Sequence, residues 1–245
     1  MSSNPETNNS IKSKLESLAN QQTAQKNIYC ISGLGADKRV FTKLEFRGYQ
    51  PIHLDWLTPN KREDIEDYAR RLAALIEEQE PIVLGLSFGG IVAVEIAKQI
   101  KVEKVILISS IKTVRENPWY FKIFRWLPVH LLIPLKSLLW AVYWLINWLF
   151  SLENQEEKIL LKEILIDTDA RFLKWAIDRV IYWKNQIIPE NLYHLHGTSD
   201  RIFPLKFVQP DLTIEAGGHF MVINRAEQIS QTIDRLVTSE SGHGA

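Results

Sequence analysis

Gly85-Leu86-Ser87-Phe88-Gly89 lies between an apolar run at 81–86 and a helical apolar pattern at 88–100. A strand that turns at once into a helix through glycine-x-serine-x-glycine lifts the serine hydroxyl into an open pocket, where it can act as a nucleophile. The glycines are required because a side chain at either position would strike the neighbouring strand or helix in so tight a turn. A serine hydroxyl is inert until a base takes its proton, and the base needs an acid to orient it. Two later segments supply the pair: Asp200 in His196-Gly197-Thr198-Ser199-Asp200-Arg201, and His219 in Gly217-Gly218-His219-Phe220. Ser87 would attack, His219 would take its proton and return it to the leaving group, and Asp200 would fix the imidazole and stabilise its cation. Activity should then fall on acidification, because a protonated imidazole accepts nothing.

A third segment, Ile31-Ser32-Gly33-Leu34-Gly35-Ala36-Asp37, follows the first apolar run. Its glycines let the backbone turn an amide inward. The amides of Leu34 and Phe88 are therefore the expected oxyanion hole, with donors of this kind contributing about 3–4 kcal/mol each to a tetrahedral transition state.

These segments need a scaffold that delivers them to one edge. Short runs rich in Ile, Val and Leu recur at 27–32, 50–55, 81–86, 104–109, 191–196 and 211–215, which suits strands buried on both faces of a parallel sheet. Helical spacing appears between them, at Ile65, Tyr68, Ala69, Leu72, Leu75 and Ile76, at 88–100 and at 226–237. Asn60 and Glu63 read as a capping box for the first of these helices. Alternating strands and helices predict a doubly wound α/β sheet with right-handed crossovers. The alternation stops over 112–187, where only helical patterns occur (119–126, 136–150, 153–166 and 170–182). The expected organisation is a polar tail over 1–25, a core over 26–111 and 188–238, a helical cap over 112–187 kinked at 128–134, and a loose end over 239–245.

The motifs S-G-L-G-A-D, G-L-S-F-G-G and G-G-H-F, with serine, acid and histidine in that chain order, resemble those of the α/β-hydrolase superfamily. The likeness is nearest to small bacterial serine hydrolases and spans roughly residues 27–237. It implies a mostly parallel sheet of about six strands, flanking helices and an inserted helical cap, without the amino-terminal strand hairpin of larger members. A serine at the elbow implies acyl chemistry, since the dehalogenases and epoxide hydrolases of this superfamily use aspartate there. Ser32 stands where the oxyanion loop of many members begins with histidine.

Other readings stand beside these. Asp200 can cap the turn that follows it or pair with Arg201, and Glu116 and Asp167 are weaker candidates for the acid because neither directly follows a late strand. His194 and His196, two apart, share a strand face; a metal pair needs further ligands at suitable spacing, so packing is expected. Seven of the eight tryptophans fall in the cap. Trp140, Trp144 and Trp148, four apart, form a stripe expected to touch substrate, while Leu135, Leu138, Leu139, Val142, Ile146 and Leu149 form another. The sixteen uncharged residues of 137–152 fall short of the roughly 20 that span a bilayer. They are expected to pack between the other cap helices and roof an acyl pocket; with Lys112, Arg115, Lys122, Arg125 and Lys136 nearby and only Glu116 opposing them, they also fit contact with a membrane surface, and the two can coexist.

The 245 residues carry 29 basic and 29 acidic side chains, so no nucleic-acid partner is expected. The single cysteine, Cys30, excludes an internal disulfide and suits a buried strand position. Residues 1–10 hold no charged start followed by an apolar stretch, so a cytoplasmic location is expected, with contact at a membrane surface through the cap as the alternative. The reading needs no cofactor and no metal. Its expected substrate is a small carboxylic ester or thioester with an apolar group, cleaved through an acyl-enzyme on Ser87. Acyl transfer by the same three residues, or simple binding of an apolar ligand, are the alternatives.

Overall fold

A computed structural model describes residues 26–123 and 143–238. The tail over 1–25, the end over 239–245, the kink at 128–134, Trp126 and Trp140 lie outside the described residues.

Each apolar run forms a strand: β1 (Lys26–Ile31), β2 (Tyr49–Leu54), β3 (Ile82–Leu86), β4 (Lys104–Ile108), β5 (Leu192–Gly197) and β6 (Leu212–Ile214). They pair in parallel throughout, in the order β2-β1-β3-β4-β5-β6. The order reverses between β1 and β3, so the loops leaving these two strands face each other across a crevice at the carboxyl edge.

Side-chain alternation divides the core in two. Tyr29, Ile31, Val83, Val105 and Leu107 point to one face, where α1 (Ile65–Ala73) and α2 (Phe88–Ala97) cover them. Ile28, Cys30, Ile82, Leu84, Ile106 and Ile108 point to the other, which carries α6 (Met221–Asn224) and α7 (Ala226–Thr238). Every residue of β3 and β4 is buried, as double coverage demands.

Between β4 and β5 the described residues contain no strand. They form short 3-10 turns and then α3 (Tyr143–Leu149), α4 (Gln155–Asp167) and α5 (Ala170–Tyr182). Asn154 and Asp169 cap α4 and α5 with side-chain oxygens on first-turn amides. The helix expected over 119–126 begins as a 3-10 turn at Trp119–Lys122, and its residues 124–126 lie outside the described residues.

The capping box needs correction. The Glu63 carboxylate does reach back to the Asn60 amide at 2.7 Å, but the Asn60 side-chain nitrogen also donates to that carboxylate, so the pair closes a separate turn. The helix starts afresh with Asp64, whose Oδ1 accepts from the Asp67 amide at 2.8 Å.

Candidate active site

Ser87 sits between β3 and α2 with φ 52° and ψ −116°, a conformation that costs a non-glycine residue about 1–3 kcal/mol. Neighbours on every side hold it there. Its amide donates to the Ile108 carbonyl at 2.9 Å, and the Ser110 hydroxyl donates to its carbonyl at 2.7 Å. A Cβ on Gly85 would collide with the backbone of Gly89 and Gly90, and one on Gly89 with the carbonyl oxygens of Ile31 and Ser32. Gly85 thus lets the first turn of α2 close onto β3, and Gly89 lets that turn press against the end of β1.

Asp200 and His219 reach Ser87 from adjoining loops. The Ser199 amide donates to the Gly217 carbonyl at 2.9 Å, which zips the loop after β5 to the loop after β6. His219 Nε2 lies 2.9 Å from Ser87 Oγ, and His219 Nδ1 lies 2.8 Å from Asp200 Oδ2. Because the carboxylate only accepts, Nδ1 carries the proton and Nε2 is free to accept the serine proton. Asp200 divides its work between its oxygens: Oδ1 accepts from the amides of Ile202 and Phe203 at 2.8 and 2.9 Å. Turn capping and the imidazole contact therefore coexist in one residue, while Arg201 turns away to stack on Trp148, 4.7 Å from its ring centre. Burial alone would raise the Asp200 carboxyl, but the facing His219 and the Phe203 amide outweigh it and hold it below its ordinary value.

The other acids are engaged elsewhere. Buried Glu116 accepts from the amides of Lys112 and Gln209, and Asp167 pairs with Arg39 at 2.7 Å. Lys112, expected on a basic surface, is buried and faces Asp211 at 3.4 Å. His194 and His196 are both buried and turn to each other, with His196 Nδ1 3.2 Å from His194 Nε2. His196 Nε2 lies 2.7 Å from the Phe203 carbonyl, which only accepts, so that nitrogen carries the proton and Nδ1 accepts from His194. Burial pushes both imidazoles below their ordinary value, His194 well below.

The Leu34 amide has no protein acceptor among the described residues, and the Phe88 amide begins α2, where no intrahelical acceptor exists. Ser32 supports this loop in its own way, its hydroxyl donating to the Ala36 carbonyl at 2.6 Å.

A cavity of about 310 Å³ opens onto Ser87 and His219, which contribute the only polar side chains of its lining among the described residues. The rest comes from the strand-end loops (Leu34, Phe203 and Phe220 among them) and from α3, α4 and α5. The structure does not bring Trp144 or Trp148 to this wall: they point outward, 72% and 53% exposed. Ile146 and Leu149, on the other stripe of α3, line the cavity instead, with Leu161, Ile164 and Leu165 of α4 and Leu173, Ile177 and Val180 of α5. The last six recur at helical spacing in the sequence, the signal that marks them as one face of each helix.

Residues 28–232 match the family model described as "Alpha/beta hydrolase family". No curated protein matches the chain. Similar solved structures include an esterase from Exiguobacterium antarcticum (17% identity, TM-score 0.69, covering 87% of this chain and 92% of that one). A hydrolase from Pseudomonas aeruginosa PA01 is also similar (14%, TM-score 0.70, 89% and 92%). So is an N-acyl homoserine lactonase complexed with N-butanoyl homoserine (15%, TM-score 0.70, 91% and 93%). At these identities the likeness shows the fold.

Proposed function

The chain belongs to the alpha/beta hydrolase family, and from that premise we propose that it is a serine hydrolase of small carboxylic esters or thioesters bearing an apolar group. Ser87 Oγ attacks the substrate carbonyl carbon while His219 Nε2 takes the hydroxyl proton. The amides of Leu34 and Phe88 receive the oxyanion. The intermediate collapses to an acyl-enzyme, and the alcohol or thiol leaves with the proton from His219. Water then repeats the sequence, deprotonated by His219, and frees the acid and Ser87. Asp200 keeps Nδ1 protonated and lowers the energy of the imidazolium in both halves.

The observation that carries this reading is the unbroken chain Asp200–His219–Ser87, at 2.8 and 2.9 Å, on the wall of an otherwise apolar cavity. That lining suits an aliphatic group and offers nothing to a charged one. The test is turnover of p-nitrophenyl butyrate by the wild type and by Ser87→Ala. Loss of turnover in a folded variant supports the reading. More than a tenth of wild-type activity in Ser87→Ala refutes it, and a folded but inactive wild type points to a ligand-binding role.

A lipid–water interface as the working location is favoured by the exposed Trp144 and Trp148, with the Arg201 guanidinium against the latter. Among the described residues no helix is long and apolar enough to cross a membrane.

A further inference from the structure

We propose that Trp56 and Thr168 are positioning residues for the oxyanion loop: Trp56 fixes the plane of the peptide that carries the Leu34 amide, and Thr168 holds the left-handed turn at Gly35. The proposal rests on the serine-hydrolase reading.

A trans peptide is planar, and its carbonyl and amide point in opposite directions. The Leu34 N–H therefore shares its plane with the Gly33 carbonyl, and whatever anchors that carbonyl aims the amide. Two donors do so: the Ala36 amide at 2.9 Å, from within the loop, and Trp56 Nε1 at 3.2 Å, from the segment after β2. The Ala36 bond is local and moves with the loop, whereas the indole is anchored outside it. Its ring packs against Phe88 at 5.4 Å and Phe172 at 5.0 Å. One side chain thus touches the residue that bears the second oxyanion amide and bonds the peptide that bears the first.

The next peptide is held from the helical segment. Gly35 adopts φ +70°, and Thr168, buried at the end of α4, places its hydroxyl 2.9 Å from the Gly35 carbonyl and 2.6 Å from that of Ile164. The one hydroxyl proton is shared between the two carbonyls, so Gly35 is tied to the helix end. A Cβ on Gly35 would strike this side chain, which leaves the loop and Thr168 in close contact. Arg39 to Asp167, at 2.7 Å, adds a second link between the same two segments. Trp56 is the one tryptophan outside 112–187, and its position just beyond β2 gave no hint of a role at Ser87.

The test compares Trp56→Phe, Thr168→Val and Thr168→Ser with the wild type. Trp56→Phe keeps an aromatic ring and deletes the N–H; Thr168→Val keeps the shape and deletes the hydroxyl; Thr168→Ser restores it. Loss of a whole oxyanion donor costs about 10²–10³-fold in kcat, so a misaimed donor is expected to cost about tenfold. The readouts are kcat and KM for p-nitrophenyl butyrate and the affinity of an alkyl boronic acid, whose tetrahedral adduct places an oxygen in the hole. The proposal expects kcat and boronate affinity to fall together in Trp56→Phe and Thr168→Val, with KM held within about twofold and Thr168→Ser near wild type. It is overturned if folded variants lose neither, or if KM rises while boronate affinity keeps pace with it. Ser87 labelling by a fluorophosphonate in the wild type is scored first. Failure there sinks the hydrolase reading itself, whereas labelling followed by unaltered kcat sinks only the roles of Trp56 and Thr168.

Discussion

Replacing Asp200 by Asn separates the two duties of this carboxylate. Oδ1 accepts from two backbone amides, at 2.8 and 2.9 Å, and Oδ2 faces His219 Nδ1 at 2.8 Å. An asparagine has one oxygen and one NH2 group, and two fixed amide donors claim the oxygen. The NH2 must then face His219, which obliges Nδ1 to accept and moves the ring proton to Nε2. That nitrogen, 2.9 Å from Ser87 Oγ, can no longer take the serine proton. The analogous exchange in the serine protease of the same three-residue logic costs about 10⁴ in kcat, or about 5.5 kcal/mol of transition-state stabilisation at about 1.4 kcal/mol per decade. The turn, by contrast, keeps both backbone bonds and loses only their charge assistance, about 1 kcal/mol. The measurement is kcat for p-nitrophenyl butyrate alongside thermal unfolding. The expected outcome is a loss near 10⁴-fold with a melting temperature lowered by only a few degrees. A variant that keeps more than a tenth of the wild-type kcat would refute the assigned role of Asp200.

Three further outcomes follow from the same contacts. Leu161→Trp, on the cavity wall, should lower turnover of p-nitrophenyl octanoate at least tenfold relative to the acetate, as overfilling such a site costs about 1–3 kcal/mol; an unchanged ratio places the acyl group elsewhere. His194 and His196 are buried with lowered pKa, so the unfolded chain binds protons that the native state refuses. Their contribution to stability is full above about pH 6.5 and is lost as pH falls toward their native values. The melting temperature should drop between pH 7 and pH 5, and drop less in His194→Leu; an equal drop in both contradicts the assignment. Asp200, also lowered, adds stability that is lost only below about pH 4. Finally, the double variant Trp144→Ala with Trp148→Ala should abolish co-sedimentation with anionic liposomes while leaving ester turnover intact, and a wild type that does not sediment removes the membrane reading.

The centre of the sheet was legible because β3 and β4 are short apolar runs buried on both faces, which leaves little choice of residue, while the more exposed edge strands β2 and β6 carry the same apolar signal in weaker form. The elbow was legible for a related reason: at Gly85 and Gly89 the backbone approach excludes any side chain, so the chemistry of the turn is written in glycine. Asp200 and His219 followed from position, each at the end of such a run. The start of α1 differs from the expectation because the Asn60–Glu63 spacing is shared by a capping box and by a closed turn, and the cap is Asp64, one residue beyond that pair. On α3 a tryptophan stripe and an aliphatic stripe share one helix, and it is the aliphatic one, through Ile146 and Leu149, that lines the cavity. Which of them faces inward depends on packing against α4 and α5, over a distance that periodicity does not encode. Trp56 and Thr168 act through side-chain hydrogen bonds to backbone carbonyls, and no spacing rule marks those.

The most direct measurement is localisation of a fluorophosphonate adduct by mass spectrometry, with residual esterase activity followed in the same sample. The account predicts one adduct per chain, on the peptide containing Ser87, rising in step with the loss of turnover and absent from His219→Gln over the same interval. Labelling on another residue, or full turnover by a chain fully modified at Ser87, would contradict it.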